Sequence, residues 1–197
     1  EAQNWNDWVQ AQQPAENLPP PATDSMIYTS GTTGNPKAVR RNSATPEQRE
    51  KSLWLRRHVY GFSPDMVAAV PGPLYHSAPN SFGLRAALTG IGVVLVPRFD
   101  PEGLLALIES HRISHMFMVP TMFVRLLKLP KDVREKYDVS SLRYIIHAAA
   151  PCPPEAKRQM IEWWGPIIHE FYGSTESSAV TLATSEDALK KPTIRSS

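Results

Sequence analysis

A chain of 197 residues that is 42% hydrophobic and 20% charged has the composition of a soluble globular protein, with room for one substantial core or two small ones. A formal net charge of +2 leaves too little concentrated basic surface for phosphate neutralisation, so no nucleic-acid partner is expected, and the short Arg40-Arg41 and Arg56-Arg57-His58 clusters read as solvated faces. The single cysteine, Cys152, excludes an internal disulfide and a cysteine metal cage, no apolar run is long enough for a transmembrane segment, and no signal peptide is read at Glu1, so a reducing, cytoplasmic location is expected.

Residues 1–24 form a polar lead-in rich in proline (Pro14, Pro19, Pro20, Pro21), with Trp5, Trp8 and Val9 placed to make one apolar face of a short helix. Met26-Ile27-Tyr28 and Ala38-Val39 then bracket a run of hydroxyls and glycines, Thr29-Ser30-Gly31-Thr32-Thr33-Gly34-Asn35-Pro36-Lys37, which reads as a loop between two strands. Hydroxyls, glycine-freed backbone N–H groups and an ammonium are what a polyphosphate requires, because its oxygens only accept hydrogen bonds. The loop is not a Walker loop: Asn35 and Pro36 separate Gly34 from Lys37, and no Ser or Thr follows the lysine.

Further along, Met66–Val70 reads as a strand closed by Pro71-Gly72-Pro73, and Ile91–Val96 as another. Asp100-Pro101-Glu102 is a helix start, with an N-cap side chain, proline in the first turn and an acid beside it, followed by Leu104, Leu105, Leu107, Ile108 and His111 at helical spacing. Ile113–Val119 is apolar throughout its second half, as a strand buried on both faces requires. Met122, Phe123, Leu126 and Leu127 mark the next helix. Leu142–His147 is again a buried strand, Pro153-Pro154-Glu155 opens a helix carrying Ala156, Met160, Ile161 and Trp164, Gly165-Pro166 breaks it, and Ile167–Phe171 is a strand. Strands alternating with helices define an α/β fold of mostly parallel sheet with flanking helices, without internal repeats.

Tyr172-Gly173-Ser174-Thr175-Glu176 is expected just past the carboxyl end of that last strand, where open α/β sheets bind ligands. An aromatic face suits a base, glycine permits close approach, and a carboxylate beside two hydroxyls suits magnesium on a phosphate. The plainer reading is a strand-to-helix turn with Glu176 as a first-turn acid. His147 and His169, inside strands, read as packed side chains rather than catalysts. Cys152, flanked by prolines, reads as a small hydrophobe rather than a nucleophile.

Four segments in this order resemble the signature motifs of the adenylate-forming superfamily of acyl-CoA synthetases, peptide-synthetase adenylation domains and luciferases, over residues 25–182. They are the Thr29–Lys37 loop, Pro73-Leu74-Tyr75-His76-Ser77, His147-Ala148-Ala149-Ala150-Pro151 and Tyr172–Glu176. The resemblance implies that Thr29, Ser30, Gly31, Thr32, Thr33, Gly34 and Lys37 embrace the β- and γ-phosphates of ATP, and that Ala149, Ala150 and Pro151 line the adenine. It further implies that Tyr172 and Gly173 meet the base, that Ser174 and Thr175 lie near the α-phosphate, that Glu176 and Thr29 hold Mg²⁺, and that His76 borders the acyl pocket. Lys37, Thr175 and Glu176 are the implied catalytic residues. Pro79–Gly83 and Thr121–Phe123 are weaker wall candidates that read as core.

The implied activity joins a carboxylic acid to ATP and then passes the acyl group to coenzyme A. The alternatives are an amino-acid adenylation domain that loads a carrier protein, and a non-catalytic nucleotide-binding module. Asn80-Ser81-Phe82-Gly83 offers no acid to pair a substrate amine, which favours a hydrophobic acid of fatty, aryl or steroid type. Departures from the family pattern are Ala38 in place of glycine and Arg40-Arg41-Asn42 where a histidine is common. No Thr-Gly-Asp ribose motif follows Val180, and Lys190 and Lys191 lack the family's C-terminal lysine context. The chain therefore reads as an internal piece of a longer enzyme: a lead-in over 1–24, a partial adenylation domain over 25–182, and a polar tail or truncated end over 183–197.

Overall fold

A computed structural model of the protein describes residues 7, 10–13, 23–29, 35–42 and 44–190. The expected apolar helix face of Trp5, Trp8 and Val9 lies outside the described residues. Two strands, β1 (Thr23–Thr29) and β2 (Lys37–Asn42), pair antiparallel as a sheet of their own, with Thr29 opposite Lys37, so the hydroxyl-rich run is indeed carried between two strands.

Helix α1 (Pro46–His58) follows, then a six-stranded sheet built from β3 (Val67–Val70), β4 (Gly92–Leu95), β5 (His115–Met118), β6 (Tyr144–His147), β7 (Ile168–Ser174) and β8 (Ser178–Ala183). The connecting helices are α2 (Ser77–Leu88), α3 (Pro101–His111), α4 (Pro120–Leu127), α5 (Lys131–Lys136) and α6 (Pro154–Trp164), and α7 (Ser185–Lys190) closes the described chain. The strand order is β4-β3-β5-β6-β7-β8, with the first five parallel and β8 antiparallel at the edge. The chain leaves β3 outward to β4 and crosses back for β5, so the winding reverses between β3 and β5. In doubly wound sheets the ligand crevice opens at such a reversal, outside the carboxyl ends of the strands.

Burial on both faces explains the apolar strands. Met116, Met118 and Ile145 pack under α3, α4 and α6 through Leu104, Leu105, Ile108, Phe123, Met160 and Trp164, while Phe117 and Ile146 point the other way to Phe82, Ala86, Val59 and Phe171. Fully buried side chains of this size each contribute about 1.5–3 kcal/mol relative to exposure. Helix α3 starts where the sequence places it: the Asp100 carboxylate accepts from the Gly103 N–H at 2.7 Å. Helix α6 buries Ala156, Met160, Ile161 and Trp164, the four residues its periodicity selects, and ends at Gly165, whose φ of 88° is one that glycine adopts readily.

One expectation is corrected. The strand expected to end at Phe171 runs on through Ser174, because β8 pairs back along it from Ser174↔Ser178 to Glu170↔Ala183. The Tyr172–Glu176 segment is therefore a hairpin end rather than a strand-to-helix turn. Pairing slips between Tyr172↔Thr181 and Gly173↔Ala179, leaving Val180 as a bulge residue, a device common at the rims of functional sites.

Candidate active site

The five parallel strands deliver their following segments to one edge of the sheet, and three of the four sequence motifs stand there. Past β3, Pro71–Ser77 leads into α2, with His76 exposed in the N-cap position and its ring 4.5 Å from that of Tyr75. Gly72 lies against Pro79 of α2 and within reach of Met122 of α4: a Cβ there would stand 3.0 Å from Pro79 Cγ and 3.9 Å from Met122 Cε. The exits of β3 and β5 thus touch at the reversal point. Of Pro79–Gly83 and Thr121–Phe123, Pro79, Phe82, Gly83, Met122 and Phe123 are buried in the core, Asn80 and Ser81 are half-buried and Thr121 is exposed. Gly83 permits α2 to approach the sheet, since a Cβ would meet Val70 Cγ2 at 2.9 Å.

Past β6, the backbone turns sharply. Ala149 has φ 76°, a left-handed conformation that costs a non-glycine residue on the order of 1 kcal/mol, and strain of this kind gathers at ligand sites. Ala149, Ala150 and Pro151 are exposed, and Cys152 behind them is half-buried, its thiol pushed up to about 11 by burial, which keeps it protonated and inert.

The last three residues of β7 are Tyr172, Gly173 and Ser174. The Tyr172 ring is 68% exposed, an outlay of apolar surface that a planar ligand would cover. The turn itself is fixed by two serines: Ser177 N–H donates to Ser174 Oγ at 3.1 Å, Ser174 N–H donates to Ser177 Oγ at 3.2 Å, and the hydroxyls are 3.0 Å apart. Thr175 is held across the edge, its Oγ1 3.3 Å from Ser77 Oγ, a bond spanning 98 residues of sequence. Ser77 closes the Pro73–Ser77 motif but was given no role of its own, and Ser177 lies outside the four motifs. The Ser-x-x-Ser spacing of 174 and 177 is a local turn signal, whereas the Ser77–Thr175 contact has none.

The fourth motif is described only at its margins. The Thr29 hydroxyl donates to the Lys37 carbonyl at 3.4 Å, and Lys37 is exposed at the start of β2. Ser30, Gly31, Thr32, Thr33 and Gly34 lie outside the described residues. Asn35 and Pro36 are exposed.

Under this edge sits a polar cluster. His147, the last residue of β6, is 0% exposed and pairs in register with Glu170 of β7. Its Nε2 is 3.9 Å from Glu170 Oε2, its ring meets Phe123 edge-on at 5.2 Å, and neither ring nitrogen has a hydrogen-bond partner. Burial, with Lys157 nearby, holds the imidazole neutral, at about 3. Lys157 of α6 donates to Glu170 Oε2. His147 and His169 are packed side chains, as their strand positions imply.

Among the described residues, shallow concavities of about 370 Å³ between Lys131, Arg134, Gln159, Glu162 and Trp163 and of about 260 Å³ between α1 and β8 lie away from this edge. The motif edge is an open rim in the described residues. No group of three or more His, Cys, Asp or Glu able to hold a metal ion occurs among the described residues. No helix of the described residues is long and apolar enough to cross a membrane.

An open, mostly parallel α/β sheet with three of the sequence motifs on its carboxyl edge defines a doubly wound class of domain, in which ligands bind at that edge. The family model described as AMP-binding enzyme matches residues 1–196, and the chain belongs to that family. It is 31% identical over 166 residues to a medium/long-chain fatty-acid–CoA ligase of Mycobacterium tuberculosis, covering 84% of this chain and 28% of that protein. Among solved structures it resembles an amide bond synthetase of Marinactinospora thermotolerans, with TM-score 0.76 and 26% identity, covering 93% of this chain and 36% of the other. It also resembles the o-succinylbenzoate coenzyme A synthetase of Bacillus subtilis in complex with ATP and magnesium, with TM-score 0.67 and 26% identity, covering 84% and 33%. The chain spans 28% of the length of the first curated relatives it matches.

Proposed function

We propose that this chain forms the nucleotide-facing part of an ATP-dependent acyl-CoA synthetase that activates a hydrophobic carboxylic acid. The observation that carries the reading is the Ser77–Thr175 hydrogen bond, which joins the His76 segment to the Tyr172–Glu176 hairpin. The β6–β7 pairing sets the Ala149–Pro151 turn beside that hairpin.

The residues on this edge fit the group. The exposed aromatic Tyr172 and the exposed small residues of the strained Ala149–Pro151 turn, on neighbouring strand ends, supply the surfaces a planar base requires. Hydroxyls and one carboxylate at a fixed hairpin end are donors and acceptors for a metal-bound phosphate chain. Glu176, with Thr29, would hold Mg²⁺, which when bound supplies positive charge against the triphosphate. In the reaction a carboxylate oxygen of the acid attacks the α-phosphorus of ATP. The bond to the bridging oxygen of the β-phosphate breaks, pyrophosphate departs with its electron pair, and an acyl adenylate remains. Lys37 and the 29–34 loop orient the departing phosphates and stabilise the charge that gathers on them. Thr175, braced by Ser77, positions the α-phosphate, and Tyr172 covers the base. His76 stands at the acid's side of the reversal crevice. The thiolate of coenzyme A then attacks the acyl carbon and AMP leaves. This activity requires a supply of ATP and coenzyme A, which we place in the cytoplasm.

The likeness to an amide bond synthetase favours a second reading of the last step alone, with an amine in place of the thiol. ATP–pyrophosphate exchange by the full-length protein against a panel of carboxylic acids tests the activation step, and addition of coenzyme A or amines then separates the acceptors. Exchange stimulated by medium- to long-chain or aryl acids is expected. No exchange with any acid would remove the ligase reading.

A further inference from the structure

We propose that the Lys157–Glu170 ion pair is a positioning device that locks the two nucleotide-bearing segments of the rim to each other. The inference rests on the nucleotide reading above and adds residues outside all four motifs.

Glu170 lies two residues before Tyr172 on β7, and the strand period of two puts both side chains on the same face of the sheet. Lys157 lies in the first turns of α6, whose amino end at Pro153 and Pro154 is where the Ala148–Pro151 turn delivers the chain. The pair thus bolts the far end of one nucleotide segment to the root of the other. It is shielded, with the lysine side chain 12% exposed and the glutamate 32%, so solvent weakens it less than the exposed pairs of α6, where Arg158 meets Glu155 and Glu162.

The third member explains the direction in which the carboxylate is held. His147 stands opposite Glu170 and immediately before the turn, fully buried and with both ring nitrogens unpartnered. A neutral imidazole 3.9 Å from Glu170 Oε2, pressed edge-on against Phe123, leaves that oxygen to the lysine while occupying the space the carboxylate would otherwise swing into. The β6–β7 ladder gives its last pair at His147↔Glu170, so beyond this point no parallel backbone pairing joins the two segments. The ion pair stands where the ladder ends. Positional freedom in Ala149–Pro151 relative to Tyr172 translates directly into a looser slot for the base, without altering the acid's side of the rim near His76.

The test uses the full-length protein and four variants, Lys157→Met, Glu170→Gln, Lys157→Arg and Glu170→Asp. ATP affinity is measured by calorimetry without acid, and the KM for ATP and for the acid by pyrophosphate exchange. Lys157→Met and Glu170→Gln are expected to raise both the Kd and the KM for ATP about five- to tenfold while leaving the KM for the acid within about twofold, the range of residues coupled to a ligand they do not touch. Lys157→Arg is expected to restore ATP binding to within about twofold, and Glu170→Asp, one methylene short, to behave as Glu170→Gln. A lowered melting temperature with unchanged ATP affinity, or an equal rise in both KM values, would overturn the positioning role and leave the pair a stability element. Should the neutral variants fail to fold, unchanged ATP affinity in Glu170→Asp overturns it equally. An unsubstituted protein that neither binds ATP nor exchanges pyrophosphate removes the nucleotide reading itself, and this inference with it.

Discussion

At the residue scale, Lys37, Tyr172, Ser174 and Glu176 are exposed while His115 and His147 are buried, so chemistry and stability separate by substitution. Lys37 is exposed and its side chain enters no core cluster. Lys37→Ala in the full-length protein is expected to lower kcat/KM for ATP about 10- to 100-fold, the equivalent of one charge-assisted hydrogen bond of about 1.5–3 kcal/mol, with the melting temperature nearly unchanged. Full activity in that variant would remove the lysine from the phosphate cradle. The buried histidines act on stability instead. Burial, aided by Arg143, pushes His115 down to about 4, and burial, aided by Lys157, pushes His147 down to about 3, from an ordinary 6.5. Below 6.5 the unfolded chain takes up protons at both positions and the folded chain does not. The unfolded state is therefore favoured as pH falls from about 6.5 toward 4, with full stability above that window, at about 1.4 kcal/mol per pH unit for each histidine. Urea denaturation at pH 7.5 and 5.0 checks this, and an equal or higher midpoint at pH 5.0 would contradict it. The motif residues were legible because each motif is continuous in sequence. Ser77 against Thr175 and Lys157 against Glu170 were not, since each contact is made by the fold between positions that carry no shared local pattern.

At the element scale, legibility followed burial. Strands β5 and β6 and helices α3, α4 and α6 carry apolar residues at the period of their structure because the core selects them. Helix α1 lacks that pattern, since most of its length is exposed, including Leu53 and Trp54. The motif reading passed over this helix; what fixes its start in the structure is a capping box, in which Gln48 N–H donates to Thr45 Oγ1 at 3.2 Å and Thr45 N–H to Gln48 Oε1 at 2.9 Å. Helix α2 contains Pro79, Asn80, Ser81 and Gly83, poor helix formers, and exists because its small residues pack closely on β3. Strand β8 was missed because the antiparallel return follows directly on a segment expected to turn into a helix. The loop before β3 holds a further close contact. Gly61 has φ 68°, and a Cβ there would stand 2.5 Å from Cγ of Tyr144, whose ring stacks on His169 at 4.2 Å and whose hydroxyl donates to the Val59 carbonyl. Because that ring has no room to retreat, Gly61→Ala is expected to destabilise by about 2–4 kcal/mol, read as a lowered urea midpoint, and a loss under about 0.5 kcal/mol would contradict the packing described.

At the scale of the whole molecule, the α/β class and the parallel sheet were legible from the alternation of elements, while the strand order was not, because sequence adjacency does not reveal that β4 lies outside β3. The reversal between β3 and β5 and the rim it creates bring the His76, Ala149 and Tyr172 segments to one side of the sheet. The proposed activity further requires that the Thr29–Lys37 loop close on this rim over one triphosphate. Hydrogen exchange on the full-length protein with and without Mg²⁺ and ATP measures that closure at both places at once. Protection of the amides across 29–37 and 172–177 together, at the same nucleotide concentration, is the expected result. Protection confined to one segment, or to neither, would contradict it.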